Sequence, residues 1–401
     1  MPRPVALAHP QRGLILPALV ILLGLGGLGW LLARHDTAAD QAARRLAAEV
    51  RSTRALATAR QALIGFATTY REQGHPTADY GYLPCPDLDG DGSAETCGTQ
   101  GRAVIGRLPW LTLNLPDLRD GAGECLWYAV SGNVKNNPKP TALNWDSAGS
   151  FRLIDASGAA VPLPGDPLGL AAAIIIAPGP PLASQQRQPG PGRCGGDPDA
   201  ARLDAYVEAL GVPAATGTTD LRIAPPDGND RIAVITIADL YLPLKSRSSY
   251  AGHLQGVLQA TADCLVQSGL PPPLTSQLLG PVRIGRLPAL DGLSGPCRND
   301  TLRDPVANWA GLMRYARCTD GSDCLSGHPP TRCRGALLFG GERLASQARI
   351  DPTDPAPGAY LEAATLAALG TGTLAPLARH INLPFTARLS PAATDVALCL
   401  P

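Results

Sequence analysis

Apolar and polar positions fall into distinct regimes along this chain. From Leu14 to Ala33 it reads LILPALVILLGLGGLGWLLA, twenty residues without a charge. At about 1.5 Å of rise per residue, a helix of that length reaches across the roughly 30 Å hydrocarbon core of a bilayer. Arg12 and Arg34 flank the run and Trp30 sits near its end, positions that suit snorkelling cations and an interfacial ring. The run predicts a transmembrane helix over 14–34 that tethers everything after it. A cleaved signal peptide is the rival reading. Its apolar region runs about 7–15 residues and ends at a small-x-small site, for which Thr37-Ala38-Ala39 is the nearest match, well beyond the run. Gly24 to Gly29 match GxGxxG, but inside an apolar span the glycines suit close helix approach rather than a dinucleotide turn.

The pattern then changes period. Ala43, Leu46, Val50 and Thr53, followed by Leu56, Ala59, Leu63, Phe66 and Tyr70, recur at three-four spacing and predict a long amphipathic helix over 36–73. Gly74-His75-Pro76 ends it. After it come short apolar runs separated by turn residues: Cys125 to Val130, Leu170 to Ala177 with three successive isoleucines, and Ile232 to Ile237. Ala200 to Leu210 predicts a short helix, and Gln185 to Pro198 an exposed loop.

The second half repeats the first. IGRLP stands at Ile105–Pro109 and again at Ile284–Pro288. Leu118-Arg119-Asp120 recurs as Leu302-Arg303-Asp304, and Trp127-Tyr128-Ala129 is matched by Arg314-Tyr315-Ala316. Ile174–Ile176 precede Leu182-Ala183-Ser184-Gln185, as Leu337–Phe339 precede Leu344-Ala345-Ser346-Gln347. Ala205-Tyr206-Val207-Glu208-Ala209 is answered by Ala359-Tyr360-Leu361-Glu362-Ala363, and the helix at 57–73 by one at 250–267. Ordered matches of this kind point to duplication. The expected fold is α+β, with two tandem units of helix plus antiparallel sheet. The expected division is a leader at 1–13, the span at 14–34, and units at 35–245 and 246–401.

Composition narrows the class. Forty prolines and forty-four glycines indicate a turn-rich body. The formal net charge is zero, which gives no electrostatic argument for nucleic acid. All ten cysteines follow the apolar run. An even set placed so suggests disulfides in an oxidising compartment, hence a cytoplasmic N-terminus and a periplasmic or extracellular body, single-pass in an inner membrane.

A basic leader ending in Gly13, an apolar helix, an amphipathic continuation and a sheet-bearing head resemble type IV pilins and type II secretion pseudopilins. LPCPDLDGDG, GRLPW, LPDLRDGAGECLWYAVS and NDRIAVIT resemble a group of bacterial envelope proteins described as pilus-assembly-like. The resemblance implies an α+β head, a structural or assembly role without catalysis, other pilins or pseudopilins and a secretion platform as partners, and a processing site between Gly13 and Leu14. One feature departs from it. Such subunits carry Glu at the fifth position after the cleavage Gly, and here that position is Ala18, preceded by Pro17.

Asp87-x-Asp89-x-Asp91-Gly92, with Glu95 at the ninth position, has the oxygen-ligand spacing of an EF-hand-like calcium loop. The twelfth position, where a bidentate acid is expected, is Gly98. The alternative is an acidic turn. In either case Cys85 and Cys97 are expected to bond and close the loop. Cys318, Cys324, His328 and Cys333 have no standard zinc spacing, and local disulfides fit them better. There is no HExxH, GxSxG or P-loop, so no enzymatic activity is expected. The other readings are a calcium-dependent surface adhesin or binding module and, last, an envelope hydrolase.

Overall fold

The computed structural model describes residues 15–163, 166, 168–187, 200–208, 217–223, 228–294, 299–326, 332–344, 346–349, 354–374 and 395–401. Helix α1 (Ile15–Thr69) is 55 residues long. Then follow β1 (Val104–Arg107), β2 (Trp127–Val130), β3 (Phe151–Ile154), β4 (Leu170–Ala171), β5 (Ala173–Ala177), β6 (Thr219–Arg222) and β7 (Arg231–Ile235). Helices α2 (Ile237–Lys245) and α3 (Ser248–Gln267) lead to β8 (Leu274–Leu279) and β9 (Val282–Arg286). The remainder is α4 (Asp300–Ala310), β10 (Met313–Cys318), β11 (Leu325–Ser326), β12 (Arg332–Cys333), β13 (Gly335–Phe339), α5 (Ala363–Gly370) and β14 (Val396–Leu400).

The class is α+β, but the expected membrane-spanning helix is not borne out. Among the described residues no helix is long and apolar enough to cross a membrane. Glycines at 24, 26, 27 and 29 thin the apolar stretch of the chain, and charged residues take over from Arg34. The single-pass inner-membrane placement falls with it. Gly13 and Leu14, the expected processing site, lie outside the described residues, as do Cys194, Cys297, His328 and most of the loop expected at 185–198.

Two antiparallel sheets carry the head. The first runs β1-β2-β5-β7 and the second β14-β13-β10-β9-β8. Their registers coincide. Gly106 pairs with Tyr128 and Ile105 with Ala129 in the first sheet, as Gly285 pairs with Tyr315 and Ile284 with Ala316 in the second. Tyr128 then faces Ile175, and Tyr315 faces Leu337. The outer strands continue the match: Ile175 pairs with Ala233 and Leu337 with Leu398.

Small side-chain motifs recur at the same places. Gln185 Oε1 accepts from the Leu182 N–H at 3.0 Å, and Gln347 Oε1 from the Leu344 N–H at 3.0 Å. Arg187 donates to the Gly179 carbonyl, with its guanidinium 5.1 Å from the Tyr206 ring centre. Arg349 donates to Gly341, 5.7 Å from the Tyr360 ring centre. Asp230 and Asp395, each just before a final strand, accept from the Glu208 and Glu362 N–H groups at 2.7 Å.

The three isoleucines of β5 are all buried because both faces of the first sheet are covered. Ile175 faces α1, α2 and α3, in a core shared with the second sheet. Ile174 and Ile176 face a separate cluster with Trp127, Phe151, Tyr206 and Leu221. That second layer is the small sheet β4-β3-β6, whose β3–β6 pair is parallel where the other strand pairs are antiparallel. Helix α1 packs on β5, β7 and α2 through its last turns, where Ala59, Leu63 and Ala67 are fully buried. Arg60 fixes the crossing by donating to the Val234 carbonyl and pairing with Asp239 at 2.7 Å. The two sheets are joined through Asp79. It accepts from the Trp309 indole at 2.6 Å and lies 3.0 Å from His253 Nε2. At the outer edge of the second sheet, β8 exposes Leu274 and Leu278 and carries a register shift at Thr275, whose φ is 45°.

Candidate metal centre and the bare helix

The acidic loop is built on a rigid base. Asp87 exchanges backbone hydrogen bonds with Arg107 on β1. Cys85 is bonded to Cys97, and the buried Lys135 ammonium donates to the carbonyls of Cys97 and Thr99 at 2.6 and 2.7 Å. Gly90 and Gly92, at φ 85° and 92°, let the chain turn back. A Cβ at Gly92 would stand 2.5 Å from the Trp110 ring.

Four carboxylates converge within this loop. One oxygen each of Asp87, Asp89, Asp91 and Glu95 can be chosen so that all lie within 4.8 Å of one another. Asp87 is buried and holds the turn: Oδ1 accepts from Gly90 and Oδ2 from Gly92. Asp89 Oδ1 accepts from Asp91, Asp91 Oδ1 from Ser93, and Glu95 Oε2 from Leu88. Asp89 Oδ2, Asp91 Oδ2 and Glu95 Oε1 have no hydrogen bond among the described residues. Burial raises the Asp87 carboxyl above its ordinary range, offset by the two glycine N–H groups and reinforced by Asp89 and Asp91. Glu95 is also raised, chiefly by burial, with the neighbouring carboxylates adding to it.

Hard oxygen donors at this spacing fit Ca²⁺, which takes 6–8 oxygens at about 2.3–2.6 Å. Four carboxylates provide part of that shell. The backbone carbonyl of Ser93, at the seventh loop position, is the type of group that adds to it.

The cysteines at 318, 324 and 333, which fit disulfides better than zinc, are bonded. Cys318 is bonded to Cys324, and Cys333 to Cys399. Cys125 and Cys264 are also disulfide-bonded, and no described cysteine is free. His75 stacks on Tyr70 at 4.1 Å. His253 pairs with Asp79, but among the described residues no Ser, Thr or Cys hydrogen-bonds to it, so the pair lacks a nucleophile. Trp127 and Trp309 are fully buried core aromatics, and Trp110 and Trp145 nearly so.

The second feature is the bare portion of α1. Leu19, Val20, Ile21, Leu22, Leu23, Leu25, Leu28 and Trp30 are between 55 and 71 % exposed, and farther along Leu46 and Val50 are 62 and 50 % exposed.

No protein-family model matches the chain, and neither a curated protein nor a solved structure matches it.

Sequence reasoning missed two arrangements. The Asp79–Trp309 bond joins residues 230 apart, with no period or motif around Asp79 to announce it. An arginine-lined groove at the foot of the head draws on α1 and three separate loops. Its only sequence signal is the run of arginines at 44, 45, 51 and 54.

Proposed function

We propose that this chain is a non-enzymatic, pilin-like structural or assembly component of a type IV pilus or type II secretion assembly. The bare helix α1 is the element that packs among like subunits. The observation that carries the reading is an extended helix with a contiguous exposed apolar surface, rooted by its last turns in a sheet-bearing head. Apolar surface of that extent marks an interaction site. The shared strand registers and repeated Gln–Arg–Tyr motifs support reading the head as a duplicated unit, divided near residues 245 and 246. A single cysteine introduced as Leu22→Cys tests the role, since no described cysteine is free to compete. A bismaleimide should join it to a second copy or to a pilin-like subunit carrying a cysteine at the matching helix position. A chain that stays uncrosslinked beside those subunits overturns the reading.

A second reading, a calcium-dependent binding module, draws support from the four converging carboxylates. Millimolar calcium should raise the Tm of the unaltered chain and leave an Asp89→Ala, Asp91→Ala variant unchanged. Equal responses would leave the loop as an acidic turn.

A further inference from the structure

The foot of the head holds a groove of about 550 Å³ between α1 and the loop tips of the first sheet. Its lining includes Arg44, Arg45, Ala48, Gly121, Pro180 and Arg231. Among the described residues the positive charge there is not balanced. Glu49 is held by Arg231 at 2.6 Å, so those two cancel. Arg51 gives one guanidinium N–H to the Gly121 carbonyl, a neutral acceptor. Arg44 and Arg45 are exposed and have no ion-pair partner among the described residues. The acidic loop at 87–95 is the opposite case: four carboxylates on a turn, none ion-paired among the described residues, with Asp89 and Asp91 exposed.

We infer that the groove of one chain receives the acidic loop of a second copy, with Asp89 and Asp91 meeting Arg44 and Arg45. A projecting turn suits a concave groove, and guanidinium groups bind carboxylates by paired hydrogen bonds. Among the described residues the two patches form no ion pair within one chain. The loop is bonded to β1, one edge of the sheet, while α1 and Arg231 border β7, the other edge. Three strand spacings, about 14 Å, separate these edges. Two copies either exchange the contact reciprocally about a two-fold axis or, repeating it from copy to copy, grow a ring or a filament.

This inference rests on the assembly reading and names the contact that would order it. The test uses the full chain in a non-ionic detergent that masks the bare helix, at low salt and with EDTA, followed by sedimentation velocity. Self-association is expected to weaken about tenfold or more in Arg44→Glu, Arg45→Glu and equally in Asp89→Arg, Asp91→Arg, because opposed charges at a contact become like charges. The four substitutions combined in one chain should restore it, and so should mixing the two double variants, since the intact groove meets the intact loop and the reversed groove meets the reversed loop. Thermal melts of each variant confirm folding. Unchanged association in both double variants, or no recovery in the combined one, overturns the pairing. Stabilisation of the unaltered chain by inorganic phosphate, lost with Arg44→Glu, Arg45→Glu while association is unchanged, assigns the groove to a free anion and also overturns it. Crosslinking through Leu22→Cys is independent of these charges. If it persists while the reversals do nothing, this contact fails and the assembly reading stands.

Discussion

Asp395 shows how one side chain can set a pH response. Its Oδ2 accepts from the Glu362 N–H and the Thr365 hydroxyl, while its Oδ1 is buried without a hydrogen bond. Burial, partly offset by those donors, pushes its carboxyl up to about 6. An unfolded Asp titrates near 3.9. Between these values the folded chain holds a proton that the unfolded chain has released, so stability falls as pH rises through that window, by about 2–3 kcal/mol once past it. Asp395→Asn, which can keep both accepted bonds through its carbonyl, should remove that decline. Chemical denaturation at pH 4 and pH 7 measures the difference between the two chains. A decline of equal size in both would place its origin in other groups. Single residues of this kind were hardly legible in the sequence. Asp395 precedes an ordinary strand, and only the fold shows that its second oxygen lacks a donor.

Elements were far more legible. The helix period from Leu56 to Tyr70 gave the packed end of α1, because a stripe that must be buried leaves its mark at every third or fourth residue, whereas Ala43, Leu46, Val50 and Thr53 of the expected stripe are exposed. Short apolar runs between turn residues located β2, β5 and β7 to within a few residues. The 170–177 run was expected as one strand, but Ala172 interrupts it where the chain passes from the small sheet to the large one. How α1 is held was not legible, since the contact depends on an absent side chain. A Cβ at Gly121 would stand 2.0 Å from the Ala48 carbonyl oxygen, while the Gly121 N–H bonds the Ser52 hydroxyl. Gly121→Ala should therefore push the helix off its loop, costing about 1–3 kcal/mol by overpacking. Thermal unfolding reads the cost, and an unchanged Tm would mean that the loop yields freely.

At the scale of the whole molecule, the repeat in sequence suggests two units that could stand apart. The packing binds them more closely. Asp79, on the first half, accepts from Trp309 on α4, and Trp145 donates to the Gly341 carbonyl. The core under β2 and β5 continues beneath β10 and β13. Trp309→Phe removes the indole N–H and leaves a buried carboxylate one bond short, which should cost about 1–3 kcal/mol. If the halves unfold as one body, hydrogen-exchange protection in β2 and in β10 should fall by the same amount. Loss confined to β10 would mean that the halves open independently. The acidic loop belongs to this scale too. Its spacing announced four carboxylates, but sequence could not show that they lie beside one edge of a sheet whose other edge borders the arginines.

The kink at Thr275 bears on how the exposed edge of the second sheet is kept from pairing. β8 ends the second sheet with unpaired peptide groups and two exposed leucines, the makings of a template on which another strand could crystallise out. A β-branched residue held at positive φ is an uncomfortable backbone state, and the register shift it brings breaks the straight run of donors and acceptors after Leu274. The discomfort has a use. Beside an exposed apolar helix, this bend leaves incoming strands too short a landing to hold.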